Sequence, residues 1–257
     1  MDWTIQQKDN YEYIDVGEGP VLLLLHGLFG ALSNFSDLIT HFSATNRVII
    51  PILPLYKLPL KECGVPDLRD FVHEFVLDMG IESLTLVGNS LGGHISLLYV
   101  IDHPEFVNAM VLTGSSGLFE NTMGDTFPQR GNRDFIHNKT ASTFYDPAMA
   151  TTELVDEVFG IVNDRDKVIR VITMARSAIR HNLSELLHQI ETPTLLIWGK
   201  DDIVTPAFVG EEFAQKIKNS ELYFIDKCGH APMMECPTEF NKILSDFLQR
   251  LPVTQST

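Results

Sequence analysis

Short apolar runs alternate along the chain with stretches of helical periodicity. Six mostly apolar runs are typical of strands in a covered sheet, at residues 21–25, 47–53, 84–88, 107–113, 194–198 and 221–225. Between them, apolar spacing predicts helices over residues 67–79, with Asp67 as N-cap, 91–102 and 240–248. Alternation at residues 3–5 and 11–14 predicts two antiparallel edge strands. The pattern predicts an α/β fold, a mostly parallel central sheet with helices on both faces.

Residues 117–190 break this alternation. They show helical spacing without a strand pattern, as in Val155, Val158, Phe159 and Val162, and then Leu183, Leu186, Leu187 and Ile190. We interpret residues 117–190 as a helical cap inserted into a core domain formed by residues 1–116 and 191–257.

Composition narrows the possible partners. The formal net charge of -15 over 257 residues disfavours nucleic acid and anionic membrane surfaces. Three cysteines, without paired spacing, indicate neither a disulfide framework nor a zinc site. The N-terminus lacks the pattern of a secretory signal, and no apolar run is long enough to span a bilayer, so we expect a cytoplasmic protein without a membrane segment.

The strand at residues 84–88 leads into a serine flanked by glycines. Gly88 and Gly92 bracket Ser90 as G-x-S-x-G, a pattern that lets a strand turn sharply into a helix with the serine exposed. The helix that follows directs its first amides toward Ser90, so the amide of Leu91 is a natural oxyanion donor.

A serine nucleophile needs an imidazole to take its proton and a carboxylate to orient that imidazole. Asp202 and His230 each follow a late predicted strand, and the chain order Ser90, Asp202, His230 fits the nucleophile-elbow architecture. Asp201 is the main rival for the acid, and Asp226 is a third choice.

The sequence resembles the α/β-hydrolase family over nearly its whole length. The motifs that carry the resemblance are His26-Gly27, Gly88-Asn89-Ser90-Leu91-Gly92, Trp198-Gly199-Lys200-Asp201-Asp202 with Pro206, and Gly229-His230. The resemblance implies that Ser90 is the nucleophile, His230 the general base and acid, and Asp202 the orienting acid. It also implies an oxyanion hole formed by the amides of Leu28 and Leu91, with Phe29 as the alternative to Leu28.

Other polar residues near these motifs receive structural interpretations. We expect His26 to be a hydrogen-bond partner under the oxyanion loop and His94 to pack within its helix. No metal site and no cofactor are predicted, because the histidines come without a spaced set of carboxylates or thiolates. The substrate pocket is expected between sheet and cap, with Phe29, Asn89 and Met233 among its residues.

Within the family, several segments look most like the carbon–carbon bond hydrolases that act on ring-fission products of aromatics, namely residues 88–90, 113–118 and 227–230, Glu235 and 240–241. Those relatives usually carry a tryptophan after the histidine, where this chain has Ala231. Many α/β-hydrolases also have a glycine-rich turn where this chain reads residues 51–60.

Three hypotheses follow for the activity on a small molecule. The first is a serine hydrolase that cleaves small or medium-chain carboxylic esters through an acyl-enzyme on Ser90. The second is a carbon–carbon hydrolase that binds a dienoic acid through cap arginines such as Arg176 or Arg180. The third is a binding protein that keeps the fold without turnover.

Overall fold

The computed structural model describes residues 3–29, 32–120 and 129–252. Its centre is a sheet of eight strands: β1 Gln6–Lys8, β2 Tyr11–Val16, β3 Val21–Leu25, β4 Arg47–Pro51, β5 Leu84–Asn89, β6 Val107–Thr113, β7 Thr194–Gly199 and β8 Ser220–Ile225. The strand order is β1-β2-β4-β3-β5-β6-β7-β8. The first three strands in this order pair antiparallel and all other pairs are parallel, which confirms the predicted fold class.

Helices cover both faces of this sheet. They are α1 Ser36–Phe42, α2 Val65–Asp78, α3 Leu91–Asp102, α4 Arg133–Ala141, α5 Thr152–Asn163, α6 Arg165–Arg180, α7 Ala207–Lys216, α8 Pro232–Glu235 and α9 Pro237–Arg250. Short 3-10 helices lie at Leu32–Phe35, Leu60–Glu62, Pro104–Phe106, Pro147–Met149 and Leu187–Gln189. No helix in the described ranges is both long and apolar enough to cross a bilayer.

Alternate residues of the buried strands divide the apolar core in two. Leu23, Leu25 and Leu86 face one cluster with α2, α3 and α7, whereas Leu22 and Leu24 face a second cluster with α1 and α9. This arrangement follows from the two-residue period of a strand, and it explains why β3 and β5 are apolar almost throughout.

Some element boundaries differ from the sequence prediction. The first edge strand lies at Gln6–Lys8 instead of 3–5, because Gln6 pairs with Tyr13. Helix α2 begins at Val65 with Pro66 in its first turn, so Asp67 is inside the helix and not its N-cap.

The segment between β6 and β7 carries α4, α5 and α6, and its described residues contain no strand. The leucines at 183–190, predicted as helical, form only the 3-10 helix Leu187–Gln189. The Asn182 side chain accepts a hydrogen bond from the amide of Ser184, which favours a turn here. Residues 121–128 of the predicted cap lie outside the described residues.

Candidate active site

Ser90 occupies a strained turn between β5 and α3. Its backbone has φ 55° and ψ -118°, a region that residues other than glycine rarely adopt. A Cβ at Gly92 would collide with the carbonyl of Leu25, and one at Gly88 would lie 2.5 Å from the carbonyl oxygen of Gly92. The glycines therefore permit the tight packing that this turn requires. The side chain of Ser90 does not cap α3, so a helix-capping role does not explain it.

Asp202 is buried just after β7 and accepts several hydrogen bonds. Its Oδ1 accepts from the amides of Val204 at 2.8 Å and Thr205 at 2.9 Å, and its Oδ2 accepts from Thr205 Oγ1 at 2.8 Å. These bonds form a local turn closed by the aspartate side chain. They leave Oδ2 in position for one further donor, which is His230.

His230 follows β8, and its Nδ1 lies 2.9 Å from Oδ2 of Asp202. This contact fixes the tautomer of the neutral imidazole, with a proton on Nδ1 and a lone pair on Nε2. The backbone of His230 is held on both sides, because its amide donates to Thr143 at 2.9 Å and its carbonyl accepts from Asn89 Nδ2 at 3.2 Å.

The electrostatics of the pair favour its charged forms. Burial alone would lower the pKa of His230, but the charge and hydrogen bond of Asp202, with a contribution from Glu235, raise that pKa above its ordinary value. Burial would raise the pKa of Asp202, but His230 and the Thr205 hydrogen bonds lower it. An imidazolium formed at His230 is therefore stabilised.

The structure distinguishes the predicted residues from their rivals. Asp201 and Asp226 are exposed, and Asp226 pairs with Lys200 at 2.5 Å, so Asp202 is the carboxylate that contacts His230. Ser90 and His230 are not hydrogen-bonded. They are linked through Asn89, the residue before Ser90, which contacts the backbone of His230.

The loop after β3 places Leu28 in the wall of the cavity that contains Ser90. The carbonyl of Leu28 accepts from Tyr56 Oη at 2.8 Å, and Leu28 and Leu91 both line the cavity that contains Ser90. Leu91 is the first residue of α3, so its amide has no partner within the helix. An oxyanion hole formed by these two amides stays a prediction.

His26 and His94 have structural contacts. His26 Nδ1 lies 2.9 Å from the carbonyl of Gly27, and His26 Nε2 accepts from the amide of Leu53 at 3.2 Å. His94 is fully buried on α3, and its Nε2 donates to the carbonyl of His181 at 2.8 Å, just beyond α6. These bonds tie the loop after β3 and helix α3 to neighbouring segments.

A cavity of about 90 Å³ lies between α3 and α6 at Ser90. Its lining is largely apolar, formed by Leu28, Ser90, Leu91, Ser116, Phe119, Glu120, Met174, Ala175, Ala178, Ile179, Val204 and Thr205. The cavity thus lies against α6, a helix of the 117–190 segment, and the interpretation of that segment as a cap stays a prediction.

Three residues expected in the pocket, Phe29, Asn89 and Met233, are not among those that line the described cavity. Asn89 is buried with its amide on Thr113 and His230, and Met233 packs on the other side of the sheet with the cluster that contains Phe240. Phe29 packs against the main core cluster, which includes Leu28 and Leu91, and also against the small cluster of Ile136, Val158 and Val162. The assignment of these three residues to the substrate pocket stays a prediction, because closeness in sequence to Ser90, Leu28 or His230 does not set the direction of a side chain.

Two site residues were missed. Thr205 was given no role, although an aspartate followed three residues later by threonine is typical of a side-chain-closed turn. Glu120 also lines the cavity. In the sequence it is marked only as a single acidic residue directly after the apolar pair Leu118 and Phe119.

The described residues contain no group of three or more His, Cys, Asp or Glu side chains arranged to hold a metal ion. All three cysteines are free thiols. The polar groups at Ser90 therefore consist of hydroxyls, the Asp202–His230 pair, backbone amides and Glu120.

Comparisons with known proteins agree with this arrangement. A family model described as the α/β hydrolase fold matches residues 20–237. The chain is 32% identical over 259 residues to a 2-hydroxy-6-oxononadienedioate/2-hydroxy-6-oxononatrienedioate hydrolase of Paraburkholderia phymatum, covering 92% of this chain and 90% of that protein. It is 30% identical to a 2-hydroxy-6-oxo-6-(2'-aminophenyl)hexa-2,4-dienoic acid hydrolase of Metapseudomonas resinovorans, covering 93% and 87%.

Among solved structures, the chain resembles an α/β hydrolase enzyme from a metagenome of lagoon sediments at Mar Chica, Morocco. The TM-score is 0.80 and the identity 40%, and the match covers 96% of this chain and 98% of that one. The matched residues 20–237 include the Ser90 turn, Asp202 and His230. The chain therefore belongs to the α/β-hydrolase family of hydrolases.

Proposed function

We propose that the chain is a serine hydrolase that cleaves uncharged carboxylic esters of small or medium chain length. The observation that carries this proposal is the largely apolar cavity at Ser90, beside the hydrogen-bonded pair of Asp202 and His230. A cavity of this composition suits an aliphatic or aryl ester whose only polar group is the reacting carbonyl.

In the first half of the reaction, Ser90 Oγ attacks the ester carbonyl while His230 Nε2 takes the serine proton. The attack converts the carbonyl oxygen to an oxyanion, for which the amides of Leu28 and Leu91 are the proposed donors. Asp202 stabilises the imidazolium that forms. The tetrahedral intermediate then collapses to an acyl-enzyme, and His230 gives its proton to the departing alcohol.

In the second half, water replaces the alcohol. Neutral His230 takes a proton from water, and the resulting hydroxide attacks the acyl carbon to form a second tetrahedral intermediate. Collapse breaks the bond to Ser90 Oγ, which recovers its proton from His230 and leaves a carboxylic acid. Both halves use the same hydrogen bond between His230 and Asp202.

A second candidate is cleavage of a carbon–carbon bond next to a carbonyl group. The named relatives support this candidate better than they support ester cleavage, because both are hydrolases of hydroxy-oxo dienoic acids. Such a substrate carries a carboxylate, which a basic side chain would be expected to bind. Arg176 and Arg180 were predicted to serve in this way, but both are exposed, while their neighbours Ala175 and Ile179 line the cavity.

The cavity lining within the described ranges contains no lysine or arginine. The sequence of residues 121–128 also lacks both residue types. These two observations favour the uncharged ester as the first candidate.

The two candidates are separated by assaying 4-nitrophenyl esters of two to eight carbons and a phenyl-substituted ring-fission acid with the same preparation. We expect turnover of the esters and a loss of at least about 10³-fold in Ser90→Ala. Ser245→Ala, a serine on α9 away from the site, is the control and should keep full activity.

Preferred turnover of the ring-fission acid would overturn the ester proposal in favour of carbon–carbon cleavage. If no substrate is cleaved and an active-site fluorophosphonate does not label Ser90, the chain is a non-catalytic binding protein.

A further inference from the structure

Glu120 is a carboxyl group in the wall of the cavity that contains Ser90. It lies three residues after Gly117, whose φ of 114° is in the region that favours glycine. The amide of Gly117 donates to Glu120 Oε1 at 2.7 Å. This bond holds one carboxyl oxygen, and no hydrogen bond within the described parts of the chain engages the other.

The surroundings of Glu120 are apolar. Phe119, Met174 and Ala178 share the cavity wall with it, and burial raises the pKa of Glu120 to about 7. No other side chain of the described lining is acidic or basic.

None of the charged groups described around the cavity pairs with Glu120. On the β7 side, Asp202 and His230 bond to each other behind Thr205. On α6, Arg176 and Arg180 are exposed. Near Ser116, the buried His94 donates to the carbonyl of His181, just after α6, and no cation of the described residues pairs with Glu120.

A carboxylate without a cation in an apolar wall repels a second carboxylate. At a separation of about 5 Å and an effective dielectric constant near 20, the repulsion corresponds to on the order of 100-fold in affinity. An uncharged amide or hydroxyl does not meet this repulsion and can donate a hydrogen bond to the second oxygen of Glu120.

We propose that Glu120 is a specificity-determining residue that makes this site accept uncharged substrates and reject substrates that carry a carboxylate. The inference deepens the proposed function, on which it rests. The substrate class is then an ester whose acyl group is apolar or bears a neutral hydrogen-bond donor. Glu120 is the side chain that distinguishes such esters from esters that carry a carboxylate.

A pair of substrates of the same shape tests this inference. The 4-nitrophenyl monoester of adipic acid carries a terminal carboxylate, and 4-nitrophenyl 5-carbamoylpentanoate carries an amide in its place. At pH 8.5, where Glu120 is ionised, we expect kcat/KM to favour the amide by roughly 30-fold in the wild type, because Glu120 can instead take up a proton at a cost of about tenfold for each pH unit above its pKa of about 7. Glu120→Gln keeps the acceptor for Gly117 without the charge, and we expect the preference to fall to about threefold or less.

The dependence of this preference on pH gives a second readout. Lowering the pH to 6 protonates Glu120. The ratio of kcat/KM for the amide ester to that for the carboxylate ester should therefore fall in the wild type and stay constant in Glu120→Gln. Glu157→Gln, a carboxyl on α5 outside the cavity lining, is the matched control and should retain the wild-type preference. Thermal denaturation checks that both variants are folded.

A wild-type preference below about twofold, or an equal preference in the wild type and Glu120→Gln, would overturn the inference while leaving ester turnover in place. If neither ester is cleaved, the proposed function has failed, and Glu120 is tested by calorimetry on Ser90→Ala with adipamide and adipamate. Tighter binding of adipamide, lost in Ser90→Ala/Glu120→Gln, supports the inference. Equal binding of the two ligands contradicts it.

Discussion

At the scale of single residues, the Asp202–His230 contact controls which protonation state of the imidazole is available. His230 must be neutral to take the serine proton, and its pKa is raised above 6.5 by the balance of burial against Asp202 and Glu235. We therefore expect kcat/KM for a neutral ester to rise with pH through a value above 6.5. A pH–rate profile in which this limb lies at or below 6.5 would contradict the assignment.

Replacement of Asp202 by asparagine tests the same contact directly. Asp202→Asn removes the charge that favours the imidazolium and the acceptor that fixes the tautomer, so we expect kcat/KM to fall by about 10³- to 10⁴-fold. The acidic limb of the profile of kcat/KM against pH should also move to lower pH. Asp201→Asn is the neighbouring control, because Asp201 is exposed and its side chain does not contact His230. A comparable loss in both variants would argue against a specific role for Asp202.

Gly114 is a residue whose side chain must be absent for His230 to hold its position. Its φ is 52°, and a Cβ there would lie 2.8 Å from His230 Nδ1 and 2.9 Å from the His230 carbonyl oxygen. We expect Gly114→Ala to lower kcat by at least tenfold, because small displacements of a catalytic base are costly. Steady-state kinetics measures the loss. Gly131→Ala, where a Cβ meets nothing within 4 Å, should be neutral.

The identities of Ser90, Asp202 and His230 could be predicted because each lies next to a glycine-marked turn at the end of a strand. The directions of the Asn89 and Met233 side chains could not be predicted from the sequence. Asn89 is drawn inward by two carbonyl acceptors and Met233 by an apolar cluster, and both are interactions with residues distant in sequence. Such interactions leave no mark on the local pattern.

At the scale of elements, α6 forms one wall of the cavity, and its first turn depends on a side-chain cap. Asp164 Oδ1 accepts from the amides of Asp166 at 2.9 Å and Lys167 at 3.1 Å. We expect Asp164→Ala to lower the free energy of unfolding by about 1 kcal/mol, as measured by urea denaturation. Asp164→Asn keeps the acceptor oxygen and should lose much less. Equal losses in the two variants would show that the cap bond is not the cause.

The sequence predicted the types of the secondary-structure elements better than it predicted where they begin and end. The strands β3 and β5 and the helix α3 combine strong periodicity with glycine or proline ends, and the structure places them where predicted. The edge strand β1 is exposed at all three residues, so its position depends on pairing with Tyr11 to Tyr13 and not on an apolar pattern. The leucines at 183–190 are spaced for a helix, but Leu183 and Leu187 are buried in the core from an irregular segment.

At the scale of the whole molecule, the proposed catalytic groups follow the ends of β5, β7 and β8, and β6, which Gly114 follows, lies between β5 and β7 in the sheet. β5, β6, β7 and β8 are consecutive in the strand order, so Ser90, Gly114, Asp202 and His230 meet at one edge. This arrangement was predictable, since carboxyl ends of parallel strands share one edge. The charge of the cavity was not, because Glu120 counts as one acidic residue among 34 in a chain of net charge -15.

The bond from His94 to His181 joins α3 to the residue that follows α6, and it has a consequence for stability in acid. Burial lowers the pKa of His94 to about 4, so the folded protein keeps this imidazole neutral while the unfolded chain takes up a proton below its ordinary pKa of 6.5. As the pH falls from 6.5 toward 4, folding loses about 1.4 kcal/mol per pH unit from this group alone.

Urea denaturation at pH 7 and pH 4.5 measures this loss. His94→Gln keeps a donor for the carbonyl of His181 but cannot take up the proton, so we expect its free energy of unfolding to decline by about 2 kcal/mol less than that of the wild type. Parallel declines in the two proteins would contradict this assignment. The same imidazole that joins α3 to the segment after α6 thus makes the whole fold sensitive to acid.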